Sequence, residues 1–310
     1  MDCEGGGEVF AVDSSTPHHS ETDDSSSSDL KQLKNSFFRH ETYLTVSGQL
    51  HLESMAQTLS RRVYTLTPAF RAERHSRTTK HLSEFWMLEA EIAFMDDLPH
   101  LLDETENIVK AGVNGVLNNC VEELSYLDKL HSSNYSDQLR QWTDSAFLRM
   151  SYSETVEILS RLQTEHSLFK TSIKWGDDLG TEHELYLASK YCQRPVFITD
   201  YPTCLKPFYM RVNDDDENTV ACMDLIVPGI GELLGGSVRE DRADNLVARM
   251  QRLGMDVDSD YKWYVDLRRM GGVRTGGFGI GVERMVRWVS GAGDVRETIA
   301  YPRTPGRCAM

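Results

Sequence analysis

Disulfide and zinc chemistry have little to work with in this chain. Its six cysteines (Cys3, Cys120, Cys192, Cys204, Cys222 and Cys308) are scattered over 310 residues. There is no CxxC pair and no cysteine–histidine cluster at zinc spacing, so reduced, mostly buried thiols are expected. No apolar run approaches the roughly 18 to 20 residues that cross a bilayer, and the N-terminus has neither a basic start nor an apolar signal core. Neither secretion nor membrane insertion is indicated. Basic residues are also scarce: 33 Lys and Arg against 48 Asp and Glu give a formal charge of -15. That balance argues against coating nucleic acid by bulk electrostatics but leaves room for a local basic surface. With 40% hydrophobic and 26% charged residues, the chain matches a soluble globular protein with a sizeable core, in one large domain or two.

Organisation follows from patterning. Residues 13–30 are of low complexity and nearly devoid of apolar side chains, so they cannot offset the entropy of ordering and read as an insertion. His18-His19 within them is assigned no function. Before them, Glu4-Gly5-Gly6-Gly7-Glu8 is a glycine-rich turn able to fold over a ligand. Val63 to Glu73 alternates as a strand with Thr65, Thr67, Ala69, Arg71 and Glu73 on one face. Its antiparallel partner, about Leu82 to Met95, puts Trp86, Leu88, Ala90, Ile92 and Phe94 on one side and Phe85, Met87, Glu89 and Glu91 on the other. The joining loop, 74–80, holds most of the local positive charge. Apolar residues at helical spacing predict a long helix over 98–130 and shorter ones at 153–163 and 181–191. Strands are expected at 195–199, 208–212, 219–227 and 230–238. Antiparallel hairpins interrupted by helices indicate an α+β fold with a mostly antiparallel sheet. The spacing in Gly277-Phe278-Gly279-Ile280-Gly281 lacks the βαβ context of a dinucleotide site.

Several residues carry chemistry. Arg71 and Glu73, two apart on one strand face, can hold both ends of a nucleotide. Asp224 and Glu232 flank the Pro228-Gly229 turn and share a sheet face if the connection is odd in length or bulged. Such a carboxylate pair suits Mg²⁺. Gly235-Gly236-Ser237-Val238-Arg239 lets backbone approach a ligand while Arg239 offers a planar fork of donors. Residues 276–284 open a helix with Arg284 in its first turn, where a bound anion explains a cation better than the helix does. Arg268-Arg269 read as surface charge beside a packed helix.

At this point the motifs resemble a known family. Phe70-Arg71-Ala72-Glu73 with HLSEFWMLEAE resembles motif 2 of the class II aminoacyl-tRNA synthetases, and GGFGIGVERM resembles their motif 3. Together with VSGQLHLE, FYMR, VPGIGELLGGSVRED and YPRTPGR, the chain is similar to the asparaginyl-tRNA synthetases from about Asp2 to Arg307. The resemblance implies ATP as a substrate and Mg²⁺ as cofactor, with asparagine and the acceptor end of tRNA(Asn) as partners. It implies catalytic roles for Arg71, Arg284 and His81, and ATP binding by Arg71, Glu73, Phe85, Glu232 and Arg284. Asparagine binding would fall to Glu4, Gln49, Glu53 and Arg239, with Arg239 and Glu53 reading the side-chain amide, and metal binding to Asp224 and Glu232. The related aspartate enzymes carry a lysine where this chain has Leu52, which favours asparagine. The basic loop would face the tRNA.

The same resemblance sets expectations about extent. The substrate-closing loop occupies residues 1–12, and the catalytic domain 31–310 with a helical insertion at about 98–170. Motif 1, which builds the family's homodimer, and the anticodon-binding domain would precede Asp2, so a core truncated at its N-terminal side is expected. Lys80 stands where the family commonly has arginine. RPVFITDYP and YPRTPGRC resemble organellar fungal members, implying the mitochondrial matrix, with the cytoplasm as alternative. Two other readings fit the same residues: a synthetase-like asparagine synthetase, and an impaired paralogue that only binds ATP or a partner.

Overall fold

Seven short strands carry buried apolar residues on one or both faces, and their pairing builds a single mixed sheet. The computed structural model describes residues 9–13, 37–73, 79–258 and 260–308. In chain order the elements begin with helix α1 (Gln49–Thr58) and the hairpin of β1 (Arg62–Phe70) and β2 (Glu84–Ala93). Next come α2 (Leu98–Asn119), α3 (Val121–Leu130), α4 (Tyr135–Asp144), β3 (Leu148–Ser151), α5 (Tyr152–His166), α6 (Thr181–Tyr186) and β4 (Val196–Thr199). The chain closes with β5 (Cys222–Val227), β6 (Gly231–Val238), α7 (Ala243–Arg252), α8 (Lys262–Arg269), β7 (Thr275–Gly281) and α9 (Val282–Ser290).

The strand order is β1-β2-β7-β6-β5-β4-β3. Every pair is antiparallel except β3 with β4, so the expected α+β class with a mostly antiparallel sheet holds. Each face is covered by its own core. On one, α2, α4 and α9 bury Leu101, Val113, Leu139 and Trp288 against Phe197, Leu225 and Ile280. On the other, α5, α7 and α8 bury Leu159, Leu246 and Tyr264 against Ile198, Cys222 and Ile226. Each fully buried side chain of this size contributes about 1.5–3 kcal/mol. Among the described residues no helix is long and apolar enough to cross a membrane.

Three expectations change. The helix over 98–130 breaks at Cys120, whose φ of -118° and ψ of 42° leave the helical region. Residues 208–212 make isolated bridges, Met210 to Arg239 and Val212 to Val220, and no strand. The glycines of 276–281 form β7, and the helix begins only at Val282. The thiols differ too. Of the five described cysteines, all free, only Cys222 is buried, while Cys204 and Cys308 are exposed. Burial pushes the Cys222 thiol up to about 12. Iodoacetamide should therefore label Cys204 and Cys308 in the native protein at least about 100-fold faster than Cys222, since the thiolate is the nucleophile. Mass spectrometry of timed digests checks this, and equal labelling would mean the β5 core opens freely.

Candidate active site

Register across the central strands opens a cleft. Glu89 on β2 lies opposite Gly279 on β7, Gly279 opposite Gly235 on β6, and Gly235 opposite Asp224 on β5. Two carboxylates thus face each other across a floor of two glycines. At three inter-strand steps they stand about 14 Å apart. A Cβ on Gly279 would come within 2.7 Å of the Met87 side chain, and one on Gly235 within 3.1 Å of Asp224 Oδ1. Side chains here would fill the space a ligand needs. The cleft has a volume of about 440 Å³.

Asp224 and Glu232 share this face because of a bulge. Leu225 pairs with Leu234 but Ile226 pairs with Glu232, so β6 spends one extra residue, Leu233. Leu233 and Leu234 consequently both point into the core, and Glu232 returns to the cleft in phase with Asp224. Oδ1 of Asp224 and Oε1 of Glu232 lie 3.1 and 3.8 Å from one point above Gly235. Their other oxygens meet cations: Lys206 Nζ donates to Asp224 Oδ2 at 2.5 Å, and Arg284 Nη1 lies 3.3 Å from Glu232 Oε2. Each carboxylate therefore keeps one oxygen turned to a common point, which fits a hard divalent cation. Burial raises the Asp224 pKa, against the opposing charge of Lys206. Burial also acts on Glu232, but Arg284, Lys206, Lys80 and Arg71 outweigh it and lower its pKa.

The polyphosphate-like end is cationic. Arg71, Lys80, His81 and Arg284 line it with Glu73 and Phe85. β1 ends at Phe70, and the Arg71 N–H continues the ladder by donating to Ser83 O at 3.0 Å. The Arg71 guanidinium lies 5.4 Å from the centroid of the Phe85 ring. His81 Nε2 is 4.0 Å from Glu73 Oε2, and burial followed by the charge of Arg284 lowers its pKa. Arg284 is placed by its neighbour: Glu283 accepts the Trp86 backbone N–H at 3.0 Å, fastening the first turn of α9 to β2.

The opposite end is enclosed. Arg239, 3% exposed, donates to Glu91 through Nε at 3.0 Å and Nη2 at 2.9 Å, and to Ser237 Oγ at 2.7 Å. Gln49 donates its amide to Glu91 Oε2 at 2.7 Å and Ala90 O at 3.0 Å. Glu89 accepts from the Ser47 hydroxyl and from the Gly48 N–H at 2.8 Å.

Nine of the eleven sequence-derived site residues come together here: Gln49, Arg71, Glu73, His81, Phe85, Asp224, Glu232, Arg239 and Arg284. Glu4 lies outside the described residues. Glu53 is a correction. It accepts from Arg268 Nη2 and the Tyr264 hydroxyl, is 1% exposed and does not line the cleft. Arg268, read as surface charge, is its buried partner. Arg239 pairs instead with Glu91, and the carboxylate that reaches the cleft beside it is Glu89. Glu89, Glu184 and Lys206 were missed. The alternation Phe85, Met87, Glu89, Glu91 was visible, and two acids on a strand face that also carries Phe and Met signal buried function.

A family model described as tRNA synthetases class II (D, K and N) matches residues 12–305. The chain belongs to that family. It is 45% identical over 305 residues to the asparagine–tRNA ligase of Clostridium novyi, a match that covers 98% of this chain and 64% of the relative. The chain thus spans less than two thirds of the length of the curated relatives it matches. Asparaginyl-tRNA synthetase from Pyrococcus horikoshii, solved with asparaginyl-adenylate, superposes with a TM-score of 0.82 at 36% identity, over 99% of this chain and 62% of that one. Aspartyl-tRNA synthetase from Entamoeba histolytica superposes with a TM-score of 0.74 at 27% identity, over 86% and 52% of the two chains. The seven-stranded sheet with its flanking helices is the class II synthetase catalytic fold.

Proposed function

We propose that this cleft activates asparagine with ATP to asparaginyl-adenylate and then passes the asparaginyl group to tRNA(Asn). The observation that carries the reading is the polarity of one cleft: an arginine-lined end suited to phosphates, and an enclosed end built on Arg239 and Glu89. In this reading Phe85 offers its ring to adenine and Glu73 accepts from the adenine amino group. Arg71 faces the α-phosphate and Arg284 the γ-phosphate, while His81 lies beside them. An oxygen of the asparagine carboxylate attacks the α-phosphorus, the bond to the bridging oxygen breaks, and pyrophosphate leaves. A terminal tRNA hydroxyl then attacks the mixed anhydride and AMP leaves. Asp224 and Glu232 would hold Mg²⁺, which when bound neutralises phosphate charge. Positioning and preorganised charge supply the acceleration, without a covalent enzyme intermediate.

Charge counting supports asparagine over aspartate. Arg239 is already paired with Glu91, so among the described residues the charge at the enclosed end without an ion-pair partner is that of Glu89. A carboxylate there accepts from an amide and repels a second carboxylate, and Leu52 contributes no cation. A site whose buried polar groups would go unmatched discriminates strongly between near-isosteres. Asparagine should therefore support ATP–pyrophosphate exchange at least about 100-fold better than aspartate in kcat/KM. Equal use of both, or free asparagine formed from aspartate, ATP and ammonia, would sink this reading.

A further inference from the structure

At the phosphate end the cleft is lined by a half-buried carboxylate with no assigned role. Glu184, on α6, meets Lys80 Nζ at 2.5 Å, with side-chain exposures of 12% and 6%. The same oxygen, Oε2, accepts the backbone N–H of Glu232 at 3.2 Å. Gly231 passes directly over the pair: at its φ of +82°, a Cβ would come within 2.5 Å of both Lys80 Nζ and Glu184 Oε2. One carboxylate oxygen thus joins the base of the 74–80 loop to the first residues of β6.

These two anchored residues are also the ones that Arg284 holds. Its Nε donates to Lys80 O at 3.4 Å, and its Nη1 to Glu232 O at 3.3 Å. Lys80 immediately precedes His81, and Glu232 is one of the two cleft carboxylates. The carboxylate of Glu184, which itself lines the cleft, therefore bridges Lys80 and the Glu232 backbone at one end of it.

We propose that Glu184 is a positioning residue for the polyphosphate end of the cleft, fixing Lys80 and the Glu232 backbone so that both carbonyls aim the Arg284 guanidinium. This rests on the ATP reading above. Lys80, held in this strut, ties the residue before His81 to the start of β6.

The test uses the full chain and its Glu184→Ala and Glu184→Gln variants, measuring asparagine-dependent ATP–pyrophosphate exchange together with thermal melting. Glu184→Ala should raise the KM for ATP about tenfold or more while the KM for asparagine stays within about twofold, because only one end of the cleft loosens. Glu184→Gln should show a smaller rise, since its amide oxygen still accepts the Glu232 N–H. Lys80→Met should reproduce the split, and the double variant should add little to either single one, as expected of one strut. A KM for ATP that stays at the wild-type value in folded variants overturns the proposal while leaving the ATP reading intact. So do equal changes in both KM values. A wild-type chain that gives no exchange overturns the reading itself and the proposal with it. If Glu184→Ala does not fold, Glu184→Gln decides by the same split.

Discussion

Replacing Arg71 by alanine should lower asparagine-dependent ATP–pyrophosphate exchange by about 10²–10³-fold or more, the loss that follows removal of one preorganised donor from developing charge. Melting should barely move. Arg71 lies just past the end of β1, half-buried, and its backbone ladder to Ser83 survives the substitution. Lysine at 71 should rescue little, because it keeps the charge but loses the planar fork that can meet a phosphate and lie over Phe85 together. The measurement is exchange at saturating asparagine with ATP varied. Activity within tenfold of wild type would mean that Arg71 stands apart from the reacting phosphate. Because the readout is adenylate formation, it depends on neither tRNA nor the transfer step.

The largest effect on stability is expected at Glu91. Its carboxylate is fully buried and faces the Arg239 guanidinium, itself 3% exposed, as well as the Gln49 amide. Glu91→Ala strands a buried cation, and breaking such a pair costs about 3–5 kcal/mol. Glu91→Gln should cost less, since an amide oxygen can still accept one of the two guanidinium bonds. The paired change Glu91→Leu with Arg239→Met should be more stable than Glu91→Ala alone, because apolar replacement of both partners removes the stranded charge. It should nevertheless abolish exchange, having lost the fork at the enclosed end. Urea unfolding of the four proteins checks the ordering. A midpoint for Glu91→Ala equal to wild type would show that water reaches Arg239 from the cleft.

Local pattern carried much of this into view. The β1–β2 hairpin follows from period-two alternation, and Arg71, Glu73 and Phe85 follow from their places on it. Asp224 and Glu232 were legible only as a conditional, because a bulge depends on how two strands pair and not on either alone. Partner choice was the harder matter. Glu53 and Glu91 are both acids near Arg239, and what separates them is that Arg268 and Tyr264 of α8 claim Glu53. That competition runs between residues more than 200 positions apart, and no spacing rule reports it. β7 was hidden for a different reason. Glycine has poor strand propensity, so Gly276, Gly277, Gly279 and Gly281 suggested a loop opening a helix. Gly277, Gly279 and Gly281 nonetheless recur with the period of two of a strand, and a Cβ at Gly277 or Gly279 would run into Glu91, Gln49 or Met87.

The extra residue at Leu233 gives β6 one residue to spare between Glu232 and Gly235. Conservative exchanges of the two leucines leave the phase of the strand intact. Loss of Leu233 or Leu234 alone would straighten the bulge and leave Glu232 two residues from Gly235, still on the cleft face, whereas loss of both would set Glu232 next to Gly235 and turn it to the opposite face. Mutagenesis of this hairpin should therefore tolerate deletion of either leucine and not deletion of both, a pattern set by counting and independent of which leucine is removed.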